Sequence, residues 1–328
     1  MKSCFIFAFL LIFLLLSEAM AEIYTSPDGH NFAVNLQFPK TTIMLGEPIY
    51  FDFEIENLSD VALGAVFGGD YRNEFGRPDS FDVKIIDEEG GILIKPKTWT
   101  FGGIINVRKI EVNQKFDFRL YLPHWATIEK VGSYKVQVEK DLIVRKYDEK
   151  NHSQMYSQKV SPIKLNATIN FVSSDYQKMG VIIDEIGKQL VTRDETAQKL
   201  APFINGTRII KYLIEAVEKD HWLMSHLSKF NDDWAFNAIV SKIKDERDEV
   251  RRNVSISLSL SVHPQAFTYL LKMRNDIFAP IRLDVVHYLG KTKTKESTKL
   301  LKEMVNDEDK WVRDEARRYL TERGEKLN

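Results

Sequence analysis

The sequence predicts a two-domain protein, all-β then all-α: an antiparallel β-sandwich followed by an α-helical solenoid. Three observations carry this. Residues 22–172 alternate apolar and polar side chains with a period near two. From residue 173 onward the period becomes helical and proline thins out. Within this second half, three segments overlay without a gap at a spacing of 31 residues. A fixed period of this size marks stacked repeats, because one such unit cannot bury its apolar face alone.

The chain opens with residues 1–21, which read as a signal peptide. Lys2 precedes an apolar core from Phe5 to Leu16, and Ala19-Met20-Ala21 places alanine at both positions a signal peptidase reads. The core is twelve residues long, short of the roughly 20 needed to span a bilayer. The expectation is cleavage before Glu22 and export, to a periplasm or as a secreted protein, with no membrane-spanning segment. Cys4 is the only cysteine and lies in this leader. The mature chain would therefore hold no disulfide, thiolate nucleophile or cysteine-bound metal. About 307 residues are enough for two hydrophobic cores. Residues 22–172 hold 18 Lys+Arg against 21 Asp+Glu, and residues 173–328 hold 27 against 25. Neither balance is the basic excess of a nucleic-acid binder.

In residues 22–172 the strand signals are Asn31–Phe38, Pro48–Asn57, Phe81–Ile86, Lys115–Leu122, Ser133–Glu139 and Ile163–Val172. In Tyr50–Glu56, Phe51, Phe53 and Ile55 point one way and acids the other, as in a strand with one buried and one wet face. Gly, Pro, Asn and Asp separate these runs, which favours a sandwich. Leu45-Gly46-Glu47-Pro48 and Val131-Gly132-Ser133-Tyr134 resemble segments of exported immunoglobulin-like domains. The resemblance implies an immunoglobulin-like sandwich in which the Tyr134 hydroxyl bonds back to the backbone.

Function in such a domain sits on its loops. The segment from Phe67 to Asp79, with Tyr71 and Phe75, has a binding loop's composition but reads equally as a solvated connector. Trp99 and Trp125 could stack on a sugar or fill a core. Two sequons, Asn57-Leu58-Ser59 and Asn166-Ala167-Thr168, are also present.

Past Ser173, Val181, Ile182, Ile186 and Leu190 form one apolar stripe, and Ile209, Ile210, Leu213 and Val217 another. Regular repeats then span 234–264, 265–295 and 296–326. Their first helices supply the columns Phe236/Phe267/Thr298 and Ile239/Leu270/Leu301. Their second helices supply Val250/Ile281/Val312, Val254/Val285/Ala316 and Leu258/Leu289/Leu320. Steps of four place these last three columns on one helix face. Pro264 and Pro280 fall where helices should start.

An aspartate (Asp245, Asp276, Asp307), then an apolar residue and arginine (Arg251, Arg282, Arg313), then leucine eight residues on resembles HEAT repeats. The resemblance implies an arginine ladder, each guanidinium bonding an aspartate turn in its own or the adjacent repeat. It also implies a concave face lined by the second helices, with columns Arg252/Leu283/Asp314, Asn253/Asp284/Glu315 and Ile256/His287/Arg318. Arg252, Asp284, His287 and Arg318 are the candidate partner-binding residues there, with Tyr71 and Phe75 on the sandwich.

No nucleophile elbow, phosphate loop or zinc-binding helix motif occurs. The sequence thus predicts a non-catalytic scaffold for another protein, without cofactor or metal. The alternative is a sandwich that binds a glycan or the cell envelope, with the solenoid as spacer or dimerisation element.

Overall fold

A computed structural model describes residues 21–67, 81–93, 107–150 and 160–325. The leader residues 1–20, Tyr71, Phe75 and Trp99 lie outside the described residues. The chain divides into two compact units, Met1–Asp175 and Tyr176–Asn328.

The first unit holds β1 (Glu22–Thr25), β2 (Asn31–Gln37), β3 (Thr42–Met44), β4 (Tyr50–Asn57), β5 (Leu63–Val66) and β6 (Asp82–Ile86). It continues through β7 (Ile92–Leu93), β8 (Arg108–Ile110), β9 (Lys115–Tyr121), β10 (Gly132–Lys146) and β11 (Ser161–Val172). One sheet runs β1-β2-β4-β9; the other runs β3-β11-β10-β5-β8, with β6 beside β10 and β7 beside β6. β10 is long enough to serve two partners along one edge, β6 at 135–139 and β5 at 143–146, while β11 covers its other edge. One pairing departs from the antiparallel expectation: β3 joins β11 in parallel. The short link through Pro39 carries the chain from the first sheet to that edge of the second.

The alternation of β4 does what its sequence implies. Phe51, Phe53 and Ile55 are fully buried between the sheets, where Phe53 packs against Phe67 and Phe81 with ring centroids 6.3 and 5.2 Å away. On the opposite face Arg119 donates two 2.8 Å bonds to Asp52 and lies over the Tyr50 ring at 4.0 Å. Glu54 is more covered than its wet-face position suggests, because Lys115 and Gln37 both donate to it, at 2.9 and 3.1 Å. Trp125 belongs to the core, which removes it as a sugar platform. The Tyr134 hydroxyl donates to the Lys130 carbonyl at 2.9 Å, closing the corner before β10. Asn57 is fully buried. Its Nδ2 is spent on the Val61 and Ile110 carbonyls at 2.8 and 3.0 Å, so the folded sandwich leaves that sequon nitrogen no room for a glycan.

The second unit opens with α1 (Tyr176–Val191), α2 (Glu195–Leu200), α3 (Ile210–Val217) and α4 (Met224–Leu227). Here the stripe on α1 is rotated from the expected one. Val181 is exposed, whereas Ile183, Ile186 and Leu190 are buried together with Gly180 and Gly187. The cause is close approach: a Cβ on Gly187 would fall inside the Tyr212 ring of α3. The α3 stripe, Ile209, Ile210, Leu213 and Val217, is buried as expected.

The regular stack follows as α5 (Asp233–Val240), α6 (Asp248–Leu260), α7 (Ala266–Lys272), α8 (Ala279–Lys291), α9 (Lys295–Met304) and α10 (Lys310–Glu322). Every member of the columns Ile239/Leu270/Leu301, Val250/Ile281/Val312 and Val254/Val285/Ala316 is fully buried, and Leu258/Leu289/Leu320 nearly so. Apolar burial of this kind is worth about 1.5–3 kcal/mol per large side chain, so the repeated columns are the main cohesive term. Pro280 sits in the first turn of α8, where no backbone donor is needed. Pro264 instead lies in the turn before α7.

Candidate functional site

An arginine ladder fixes how successive second helices stack. Arg251 donates from Nε and Nη2 to Asp276 at 2.8 and 3.0 Å. Its Nη1 donates to the Asp245 carbonyl of its own turn at 2.8 Å. Arg282 repeats both contacts, reaching Asp307 at 2.9 and 2.8 Å and the Asp276 carbonyl at 2.7 Å. The choice left open by the sequence is thus resolved: the turn aspartate comes from the next repeat and the own turn contributes carbonyls, with Asp248 of its own helix a further acceptor for Arg251 Nη2 at 2.7 Å. Burial works against the charges of Asp276 and Asp307, yet the guanidinium and a backbone amide hold both below the usual carboxylate range. Asp245, at the start of the ladder, is taken by Arg247 at 2.9 and 3.0 Å.

Against this frame, the face of α6, α8 and α10 carries the predicted residues. The structure brings four of them together in two adjoining groups. Arg252 lies 3.7 Å from Asp284, which also accepts the Ser255 hydroxyl at 2.7 Å. One turn along α8, His287 Nδ1 stands 3.1 Å from the Glu315 carboxylate of α10. Arg318 donates to the same Glu315 from Nε at 2.8 Å, bonds Glu322 as well, and lies over the Tyr319 ring at 4.1 Å. Burial pushes the Asp284 carboxyl up against the opposing pull of Ser255, Arg252 and His287. Arg318 is the main cause that holds Glu315 down.

The face therefore alternates charge across three successive helices, with Ile256 and Leu283 half-buried beside it. Such a surface can hydrogen-bond and ion-pair with a polypeptide. Tyr71 and Phe75, the sandwich candidates, lie outside the described residues.

Sequence reasoning placed Glu315 in a face column but missed Ser255 and Tyr319 as partners in this network. The 31-residue spacing contained the signal for Ser255 and Tyr319, which share columns with buried Val286 and half-buried Tyr288. It also missed Arg323, which donates to Ser297, Thr298 and the carbonyls of Gly290 and Thr292. Arg323 falls in no repeated column, so nothing in the sequence marks it. Among the described residues there is no group of three or more His, Cys, Asp and Glu side chains able to hold a metal. No helix among them is long and apolar enough to cross a membrane.

Comparison with known proteins agrees with the helical half. Residues 236–321 match the family model of HEAT repeats. No curated protein matches the chain. Among solved structures, the CARDB domain of a Pyrococcus furiosus protein, crystallised with di-metal ions, is 9% identical. That match covers 44% of this chain and 94% of the other, with a TM-score of 0.22. The ASH/PapD-like domain of human CEP192 is 10% identical over 43% of this chain and 87% of its own, with a TM-score of 0.21. The HEAT-repeat match suggests a role in protein interaction. The C-terminal half is a HEAT-like helical repeat, and the N-terminal half is an immunoglobulin-like β-sandwich.

Proposed function

We propose that this chain is an exported, non-catalytic scaffold that binds another protein through the second-helix face of its HEAT-like unit. One observation carries the reading. Arg252 pairs with Asp284, and His287 and Arg318 share Glu315, so that two adjoining, partly exposed ionic groups lie across α6, α8 and α10, above columns that are apolar and buried. The core columns agree between repeats, whereas the face columns differ: Arg252, Leu283 and Asp314 share one, Ile256, His287 and Arg318 another. The leader pattern of residues 1–21 supports export.

Photo-crosslinking on the full chain tests this. A benzophenone amino acid placed at His287 is expected to yield a discrete protein adduct in the native exported fraction. The same group at the exposed Lys299 of α9 is expected to yield none. Equal labelling from the two positions, or adducts only with glycan or wall material, would contradict the reading.

A further inference from the structure

We propose that the loop edge of the helical stack, formed by the C-terminal ends of α6 and α8 and the start of α5, is a docking surface for an anionic lipid bilayer. The 31-residue register puts apolar and basic residues in the same columns there. Leu260 is the last residue of α6 and Lys291 the last of α8, and Val262 and Lys293 are counterparts two residues on. Leu260 and Val262 are each 59% exposed. Lys291, Lys293 and Lys295 are exposed one repeat over, with Lys295 opening α9. Trp234, 57% exposed, joins this edge from the start of α5, because its neighbour Asp233 stands 3.0 Å from Nε2 of His263, the neighbour of Val262. Both loops rest on fixed backbone: the Val262 amide donates to the Ser228 carbonyl and the Thr292 amide to the Tyr288 carbonyl, each at 3.0 Å.

Charge complementarity names the occupant. Among the described residues none of the three lysine ammonium groups pairs with a carboxylate. The acids of the same edge are engaged: Asp232 accepts the Ala235 amide at 3.0 Å, Asp233 pairs with His263, Glu322 with Arg318, and Glu325 with Lys302. Glu296, beside Lys295, is the exposed acid left open, so the open charge on the edge is positive. Lysines are point charges on flexible stems, which suit a layer of headgroups whose phosphates hold no fixed positions. The arginine of this edge, Arg323, is turned inward, with Nη2 spent on the carbonyls of Gly290 and Thr292 at 3.0 and 3.1 Å. No planar fork is therefore offered to a single carboxylate, which argues against an acidic protein segment. Exposed Leu260, Val262 and Trp234 supply the other half of an interfacial contact, since apolar side chains enter the boundary between headgroups and acyl chains while ammonium groups meet the phosphates. This surface uses no residue of the second-helix face assigned to a protein partner.

The test is flotation of the expected mature chain, from Glu22 onward and so without its apolar leader, with vesicles of phosphatidylcholine alone or mixed with phosphatidylglycerol. Binding to the anionic vesicles is expected to be roughly tenfold tighter than to the neutral ones, and to weaken as salt rises. Lys291→Gln/Lys293→Gln/Lys295→Gln should weaken it by roughly tenfold or more, and Leu260→Ser/Val262→Ser by about threefold or more. The same loss of charge at exposed Lys244, Lys272 and Lys310, toward the turns at the other ends of these helices, should leave binding within about twofold. All these variants change exposed side chains and should keep the wild-type thermal midpoint. Absence of binding to the anionic vesicles, equal binding to the neutral ones, or an equal loss from the control triple variant would overturn the proposal. So would saturation of the three lysines by a polyglutamate peptide with vesicles left unbound, which would make the edge a site for an acidic protein segment.

Discussion

Arg282 and Asp307 are 25 residues apart in sequence and belong to different repeats, yet they share two hydrogen bonds of 2.9 and 2.8 Å. The same guanidinium donates at 2.7 Å to the Asp276 carbonyl, so one side chain ties its own turn to the next. Both partners are nearly buried, with side-chain exposures of 6% and 10%. Arg282→Ala would leave the Asp307 carboxylate and a turn carbonyl without their donor. Breaking a pair of this kind by removing one member costs about 3–5 kcal/mol. The expected outcome is a thermal midpoint for the helical signal several degrees lower. Arg282→Lys should recover little of it, since an ammonium cannot meet a carboxylate and a carbonyl in one plane. An unchanged midpoint would remove the ladder as a stabilising element.

Gly187 gives a steric prediction. Because a Cβ there enters the Tyr212 ring, Gly187→Ala should destabilise the α1–α3 contact by about 1–3 kcal/mol. This outcome runs against the usual gain from replacing a helical glycine with alanine. Chemical denaturation of Gly187→Ala, Tyr212→Ala and the double variant tests it. The two changes should be strongly non-additive, because Tyr212→Ala removes the obstacle.

Asn57 ties β4 to β8 and to the connector before β5. Its Nδ2 donates to Val61 and Ile110, and its Oδ1 accepts from the Ser59 amide at 2.9 Å. Asn57→Asp keeps the shape but turns the donating nitrogen into an acceptor facing two carbonyls. A loss of about 2–4 kcal/mol is expected in the unfolding of the sandwich, combining two lost bonds with unpaired buried oxygens. Asn166→Asp, on the exposed side of β11, should leave stability unchanged within about 0.5 kcal/mol.

His226 makes the helical unit sensitive to acid. Burial, and then the nearby Lys229 and Lys199 charges, push its pKa down to about 4. In the unfolded chain an imidazole titrates near 6.5, so between these values the unfolded state binds more protons. Stability is then complete above about pH 6.5 and is lost as the pH falls toward 4, by at most about 3 kcal/mol. Denaturant midpoints recorded from pH 7 to pH 4 should fall for the wild type. They should fall less for His226→Leu, which cannot take up a proton.

The repeat was legible because its buried positions recur in kind. Ile239, Leu270 and Leu301 occupy one environment, and a shared environment selects similar side chains. The ladder's arginines were legible too, but not which aspartate each would meet. Asp276 lies six residues before Arg282 and 25 after Arg251, and only the stacking of repeats decides between them. Short strands were invisible for a different reason. β3 has three residues, too few to show alternation, and all four residues of β5 are buried, so its sequence is a continuous apolar run. Val181 misled because the register of α1 is set by glycines that admit Tyr212, and apolar pattern alone does not weigh them. Of the candidate face, Arg252, Asp284, His287 and Arg318 were legible as a varied column set. Their mutual pairing through Ser255 and Glu315 depends on the distance between helices.

The most direct test of the binding reading is quantitative capture from a native extract of the source cells and their medium, comparing the full chain with its His287→Ala/Arg318→Ala variant. Both residues sit on the second-helix face, and neither contributes to the buried columns, so the variant should keep the wild-type unfolding midpoint within about 1 kcal/mol. A stoichiometric protein is expected on the wild type, reduced at least tenfold on the variant. Equal retention by the two, with folding intact, would contradict it and move the binding surface elsewhere on the chain.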